Sequence, residues 1–114
     1  MKVVEYLDPN GSSPFERWFV KIDARAASKV TMAVTRMGQG NLSNVKSVGS
    51  GVLEYRIDYG PGYRVYFGRD GDELVILLIG GTKARQQNDI EAAKAFWQDY
   101  KSRKRAHKGA GMGD

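Results

Sequence analysis

The chain has 114 residues and carries 18 Lys and Arg against 13 Asp and Glu, which gives a net charge of +5 at pH 7. This length fits one domain with one hydrophobic core, and the positive balance predicts an anionic partner. The chain has no Cys and a single His. Disulfides and thiolate chemistry are therefore excluded, a zinc site is a poor fit, and we expect no cofactor.

The first residues carry no targeting signal that we can identify. Met1 leads directly into a strand-like segment, residues 2–7, without the charged and apolar regions of a secretory signal. The apolar run at residues 74–79 is far shorter than the about 20 residues that span a bilayer. We therefore expect a cytoplasmic protein with no membrane partner.

Two short helices are predicted after the first strand. Ser13, Pro14 and Glu16 form a capping-box start, and Phe15, Trp18, Phe19 and Ile22 then share one face, as core residues do. Asp23 is placed to cap a second helix with an apolar stripe at Ala27, Val30, Val34 and Met37, and Gly38 ends it. Residues 41–50 are polar and predict a loop, in which Lys46 is either a phosphate contact or a solvated side chain.

Three strands are predicted between residues 52 and 79. Alternation in the first predicts one buried face and one face in water, with Glu54, Arg56 and Asp58 on the water side. Gly60-Pro61-Gly62 predicts a type II turn, after which Tyr63, Val65 and Phe67 point inward while Arg64 and Tyr66 point to solvent. Asp70-Gly71 predicts a hairpin into the apolar third strand.

A C-terminal helix is predicted from the stripe Ile90, Ala93, Trp97 and Tyr100, capped by either Thr82 or Asn88. Asp89 falls near its first turn, where a carboxylate either favours the helix dipole or serves an active site. The pattern predicts an α+β fold in the order β-α-α-β-β-β-α, with one domain at residues 1–100. Residues 101–114 are read as a basic, flexible tail, either solvated or in contact with nucleic acid.

Cations and a phenol gather at Arg56, Arg64, Tyr66, Lys83 and Arg85. Such a surface suits single-stranded RNA, because cations hold phosphates and an aromatic ring such as Tyr66 or Tyr63 can stack on a base. Cleavage by the RNA's own 2′-hydroxyl further needs a proton acceptor, a proton donor and positive charge at the phosphate. The acceptor and donor stay open among Tyr66, Lys83, Asp89 and Glu54.

The sequence of three segments resembles the RelE/HigB superfamily of bacterial toxins. The most similar branch is that of the addiction module killer proteins, which also occurs in phage-derived genes. The segments are residues 60–69, 80–83 and 86–93, and the resemblance runs from Lys2 to about Tyr100. Arg64 matches the active-site arginine of the Gly-Tyr-Arg segment. Arg56 and Lys83 match basic residues on the preceding strand and after the last strand, with Arg85 close by. Asp89 and Glu54 depart from the RelE pattern, which has tyrosine and lysine there.

The resemblance implies a RelE-like, antiparallel-rich sheet and the toxin of a type II toxin–antitoxin system. Such toxins are ribosome-dependent mRNA endoribonucleases, held inactive by a helix-turn-helix (HigA-like) antitoxin that also contacts the operator DNA. We expect metal-independent catalysis by Arg56, Arg64, Tyr66, Lys83 and Asp89, and RNA binding by Lys46, Tyr63, Arg85, Lys101 and Arg103. The alternatives are a ParE-like inhibitor of DNA gyrase and a non-catalytic co-repressor that only binds the antitoxin.

Overall fold

The computed structural model describes the backbone of residues 1–112 and the side chains of residues 1–106. Nine elements follow in chain order: β1 (Lys2–Glu5), α1 (Pro14–Phe19), α2 (Ala24–Gly38), β2 (Val45–Gly49), β3 (Val52–Ile57), β4 (Tyr63–Asp70), β5 (Leu74–Thr82), η1 (Lys83–Arg85, a 3₁₀ turn) and α3 (Gln86–Met112). The sheet order is β1-β5-β4-β3-β2, with β1 parallel to β5 and the other pairs antiparallel. The predicted α+β class, antiparallel-rich sheet and C-terminal helix are confirmed. Within residues 1–112, no helix is long and apolar enough to cross a membrane.

The predicted loop at residues 41–50 is wrong in part, because Val45–Gly49 forms the edge strand β2. Its polar residues lie at an exposed sheet edge, where only a few side chains need to be apolar. A bulge interrupts its pairing with β3 between Ser47 and Gly49. The sheet therefore has five strands, four of them after the helices.

Both predicted helix starts in the N-terminal half are confirmed. The Ser13 hydroxyl accepts a hydrogen bond from the Glu16 backbone N–H at 3.0 Å, and the Asp23 carboxylate accepts one from the Ala26 N–H at 2.9 Å. These side chains satisfy backbone donors that a helix cannot pair internally. Helices α1 and α2 cover one face of the sheet. Their residues Phe15, Val30 and Met37 form the first core with Tyr55, Val65 and Phe67 of the strands.

The second face of the sheet is covered as well, so the prediction of a face in water is wrong. Helix α3 packs there over a second core, which includes Tyr6, Val52, Tyr66, Ile76, Leu78, Ala93 and Trp97. Gly80 and Gly81 let helices approach on opposite faces. A Cβ on Gly80 would lie 2.2 Å from the Trp18 ring, and one on Gly81 would lie 1.8 Å from Asp89 Oδ2.

Two turns differ in detail from their predicted form. The Gly62 N–H bonds to the Tyr59 carbonyl at 3.0 Å, so Pro61 occupies the third turn position rather than the second. Gly60 and Gly62 both have positive φ, which glycine adopts without steric cost. The hairpin at Asp70 has three connecting residues, 71–73, with Gly71 at positive φ.

Helix α3 starts and ends elsewhere than predicted. Thr82 stands before the 3₁₀ turn without a side-chain cap, and Asn88 lies inside the helix. The helix continues past Tyr100 to Met112, so the basic tail begins as part of α3. Arg103 forms an ion pair with Asp99 and donates to the Leu7 carbonyl, and Lys104 forms one with Asp70. The remaining predictions for residues 113 and 114 fall outside the described residues.

Candidate functional site

A fully buried carboxylate, Glu54, lies at the centre of the predicted cluster. It faces α3 from the middle of β3 and is 0% exposed. Its oxygens accept hydrogen bonds from Tyr66 Oη at 3.0 Å, Gln86 Nε2 at 2.9 Å and Arg56 Nε at 3.2 Å. Burial alone would raise the pKa of Glu54, but these donors and the nearby Lys46 ammonium together hold the pKa below its ordinary value. Glu54 is therefore ionised at neutral pH.

Two arginines lie on either side of this carboxylate's charge. Arg56 and Arg64 are direct cross-strand partners on β3 and β4, in register beside the Glu54–Tyr66 pair. The Arg64 Nε lies 3.6 Å from Glu54 Oε2, and its Nη1 donates to the Gly62 carbonyl at 3.1 Å. Cations placed directly opposite each other repel, so the carboxylate between them offsets that repulsion. Both guanidinium groups are thus held in place before any ligand arrives.

The expectation that Arg64 is solvent-facing is wrong, since only 6% of the residue is exposed. Its Nε is buried and has no hydrogen-bond partner among the described residues. Arg56 is different, because 53% of its side chain is exposed. Arg64 lies on the central strand β4, whereas Arg56 lies on β3, which is next to the edge strand β2.

A cleft of about 460 Å³ opens beside these two arginines. We call it the cation cleft; its walls include Asn44, Arg56, Asp58, Tyr63, Arg64 and Lys83. Lys83 belongs to η1, and its backbone N–H donates to the Gly62 carbonyl at 2.8 Å. The same carbonyl accepts from Arg64, so Gly62 fixes the turn, the arginine and the start of η1 relative to one another. Three predicted catalytic residues, Arg56, Arg64 and Lys83, therefore meet in one cleft.

The two predicted tyrosines occupy different positions. Tyr66 was expected to face solvent, but it is 0% exposed and packs in the second core. Burial and the hydrogen bond to Glu54 raise its pKa well above the ordinary range. Tyr66 thus holds Glu54 and has no surface on which a base could stack. Tyr63 lines the cation cleft, and its ring stacks on Tyr59 with centroids 6.4 Å apart.

Asp89 lies in the first turn of α3 and is 7% exposed. Its Oδ2 is buried against Gly81 and has no hydrogen-bond partner among the described residues. Burial raises the pKa of Asp89, and the Arg85 charge opposes this shift without cancelling it. Asp89 does not line the cation cleft.

The other predicted RNA-binding residues lie around the site or away from it. Arg85 is exposed on η1 but is not part of the cleft wall. Lys46 is exposed on β2, and its Nζ is 3.9 Å from Glu54 Oε1. Lys101 and Arg103 lie on the C-terminal part of α3, and Lys101 Nζ lies 5.8 Å from the Trp97 ring centroid.

Three residues join the site that the sequence interpretation did not commit to. Glu54 is predicted to share a strand face with Arg56 and is an open candidate for acid or base, but its buried role of holding the arginines is not predicted. Gln86 approaches from α3. It begins the resemblance segment 86–93, but that segment assigns it no role. Asp58 lines the cleft as its only carboxylate among the described residues. Its position two residues after Arg56 was a signal that could have found it.

The cleft's chemistry is that of an anion site. Within the described chain, no group of three or more Asp, Glu or His residues could hold a metal ion. Positive charge comes from Lys83 and from two arginines held by a buried carboxylate, and such fixed charges stabilise an anion without reorganising. A phosphate is the anion that guanidinium groups bind in two-pronged geometry.

Two comparisons with known proteins show which family the chain belongs to. Over 86 residues the chain is 43% identical to an uncharacterized protein of Haemophilus influenzae, covering 75% of this chain and 87% of that protein. The family model for phage-derived Gp49-like proteins (DUF891) matches residues 17–98, which include α2, all of β2 to β5 and the whole cation cleft. This chain belongs to the Gp49-like phage-derived protein family, a family associated with toxin–antitoxin-like proteins.

Proposed function

We propose that this protein is the toxin of a type II toxin–antitoxin pair and that it cleaves mRNA on the ribosome. The observation that carries the proposal is the cation cleft, in which Arg56, Arg64 and Lys83 converge above an ionised, fully buried Glu54. The resemblance of residues 60–69 and 80–83 to RelE/HigB toxins supports the choice of mRNA and the ribosome. It also supports a helix-turn-helix antitoxin as the inhibiting partner.

The reaction that suits this cleft is transfer of a phosphate to the neighbouring 2′-oxygen. The RNA's 2′-oxygen forms a bond to phosphorus as the bond to the 5′-oxygen breaks, which leaves a 2′,3′-cyclic phosphate and a 5′-hydroxyl. Negative charge grows on the phosphate oxygens in the transition state. Arg56, Arg64 and Lys83 supply the positive charge that stabilises it.

The proton leaves the 2′-hydroxyl and another reaches the 5′-oxygen. The cleft-lining side chains able to exchange a proton are Asp58, Tyr63 and Lys83. Glu54 is withdrawn from this role because its oxygens are already bonded to three donors and are sealed from the cleft. We therefore assign Glu54, with Tyr66 and Gln86, to positioning the arginines.

A matched pair of variants tests the proposal. Lys83 and Arg85 are both exposed cations of η1, but only Lys83 lines the cleft. We expect Lys83→Ala to lower cleavage about a hundredfold, which is the loss of one contact to the transition state. Arg85→Ala should change it less than about threefold. Growth arrest on induced expression and primer extension on mRNA from induced cells measure both.

The same cells discriminate against the other classes of function. Cuts in translated mRNA that disappear with Lys83→Ala, and arrest relieved by the protein of the adjacent reading frame, are the expected results. Arrest without mRNA cuts, together with inhibited supercoiling by purified gyrase, would instead support the ParE-like alternative. Equal loss of activity in both variants would mean that general charge matters and the cleft does not.

A further inference from the structure

A second, smaller cavity continues the cation cleft toward helix α2. Its volume is about 190 Å³, and Asn44, Arg56, Ile57 and Asp58 line both cavities. The new walls come from α2 and from Tyr59. We call the two cavities together the α2 groove. Because the walls are shared, a ligand bound at Lys83 and Arg64 has a continuous path along the protein surface.

The α2 side of this groove is basic, and its positive charges are not paired with carboxylates of the described residues. Lys29 and Arg36 line it, and both are exposed. Neither forms an ion pair within the described part of the chain, and the helix segment from Ala24 to Gly38 contains no Asp or Glu. The one described carboxylate along both cavities is Asp58. Arg36 follows Lys29 by seven positions in the helix, so their backbones lie about 10 Å apart along the axis.

An aromatic step connects the cleft to this basic helix. Tyr63 lines the cation cleft, and its ring stacks on Tyr59, which lines the cavity beside α2. The Lys29 ammonium lies 5.5 Å from the Tyr59 ring centroid, which holds this flexible cation at the groove. Proteins bind single-stranded nucleic acids with cations that follow the phosphate backbone and with aromatic rings on which the bases stack.

We propose that the α2 groove binds the single strand that runs through the cleft, with Lys29 and Arg36 holding phosphates several nucleotides from the one that is cleaved. The inference rests on the proposed function for the identity of the strand as RNA. It makes the substrate an extended single strand and not a dinucleotide. It also gives α2 two tasks, since its buried residues form the first core while Lys29 and Arg36 bind ligand.

Binding of RNA that cannot be cleaved tests this directly. The probes are a 2′-O-methyl trinucleotide, as the short probe for the cleft, and a 2′-O-methyl strand of about ten nucleotides, within the usual range of single-strand sites. The test variant is Lys29→Gln/Arg36→Gln. The control is Arg25→Gln, because Arg25 is an exposed cation of the same helix that lines neither cavity.

For the long strand we expect the slope of log K against log salt to fall by about 1.4 in the double variant, or about 0.7 for each lost phosphate contact. Trinucleotide binding should not change, and Arg25→Gln should bind both probes as the unmodified protein does. An unchanged long-strand slope would overturn the inference. If the double variant also loses binding of the antitoxin, the groove would be assigned to a protein partner.

The two proposals fail in different ways. If trinucleotide binding depends on Lys83 but binding of the long strand does not depend on Lys29 and Arg36, only the inference about the α2 groove is refuted. If the long strand depends on Lys29 and Arg36 while no RNA is cut on ribosomes, the groove stands and the endoribonuclease assignment is refuted.

Discussion

Replacing Glu54 by Gln is the sharpest test of the electrostatic organisation described above. Gln has nearly the same shape and still accepts hydrogen bonds from Tyr66 and Gln86. It removes the negative charge beside Arg64, whose side chain is 7% exposed. Breaking a buried ion pair by removing one partner costs about 3 kcal/mol, because the remaining charge stays buried. The exposed partners Arg56 and Lys46 contribute little to that figure.

The effect of Glu54→Gln depends on pH with a definite sign. The pKa of Glu54 in the folded protein lies below its ordinary value of 4.5. Stability from the ionised carboxylate is therefore present above the unfolded pKa and is lost as the pH falls through the folded pKa. We expect the difference between protein and variant to stay constant from neutral pH to about 5.5 and to shrink below 4.5.

Urea unfolding at a series of pH values measures both quantities. The control is Glu73→Gln, which neutralises an exposed glutamate in the β4–β5 connection and should change stability by less than about 0.5 kcal/mol. A second variant, Glu54→Gln/Arg64→Met, removes both members of the pair and should recover much of the loss. A stability change below about 0.5 kcal/mol for Glu54→Gln, or a larger one that persists unchanged to pH 3, would refute the reasoning.

Two further predictions concern how α3 is attached. Gly81→Ala should lower the free energy of unfolding in urea by about 2 kcal/mol, because its Cβ would overlap the Asp89 carboxylate. Adding Asp89→Ala should restore most of this loss, and an unchanged loss in the double variant would place the strain elsewhere. A chain that ends after Tyr100 should be less stable by about 1 kcal/mol than one that ends after Ala106, because only the shorter form loses the partly exposed ion pairs to Asp70 and Asp99. Equal thermal stability of the two forms would show that these ion pairs contribute nothing.

The helix starts could be predicted because their causes are local. Ser13 and Asp23 each bond to a backbone N–H three residues later, so the signal is contained in four residues of sequence. The convergence of Arg56 and Arg64 was predictable for a similar reason. The tight turn at residues 60–62 joins the two strands and fixes which residues lie opposite each other.

The burial of the site could not be predicted in this way. Glu54, Arg64 and Tyr66 alternate with apolar residues as a solvent-facing row does, and the pattern carries no sign that this face of the sheet will be covered. What replaces water there is a set of partners on other elements, such as Gln86, 32 positions away in the chain. Strand β2 was missed because an edge strand needs few apolar residues, and Lys46 and Ser47 made its sequence look like a loop.

The burial of Glu54 on one face of the sheet and the positive charge of the cation cleft are physically connected. Arg56 and Arg64 are directly opposed like charges, an arrangement that costs free energy unless a counter-charge is built in. Glu54 is that counter-charge, but the cleft is lined by three cations, Arg56, Arg64 and Lys83, against Asp58, so it stays positive even after Glu54 is counted. Covering Glu54 with α3 keeps water from screening it, so the arginines are held rigidly while their remaining charge points toward the cleft. The fold thereby holds an unbalanced positive charge at one place, and the RNA strand that we propose as substrate would balance it.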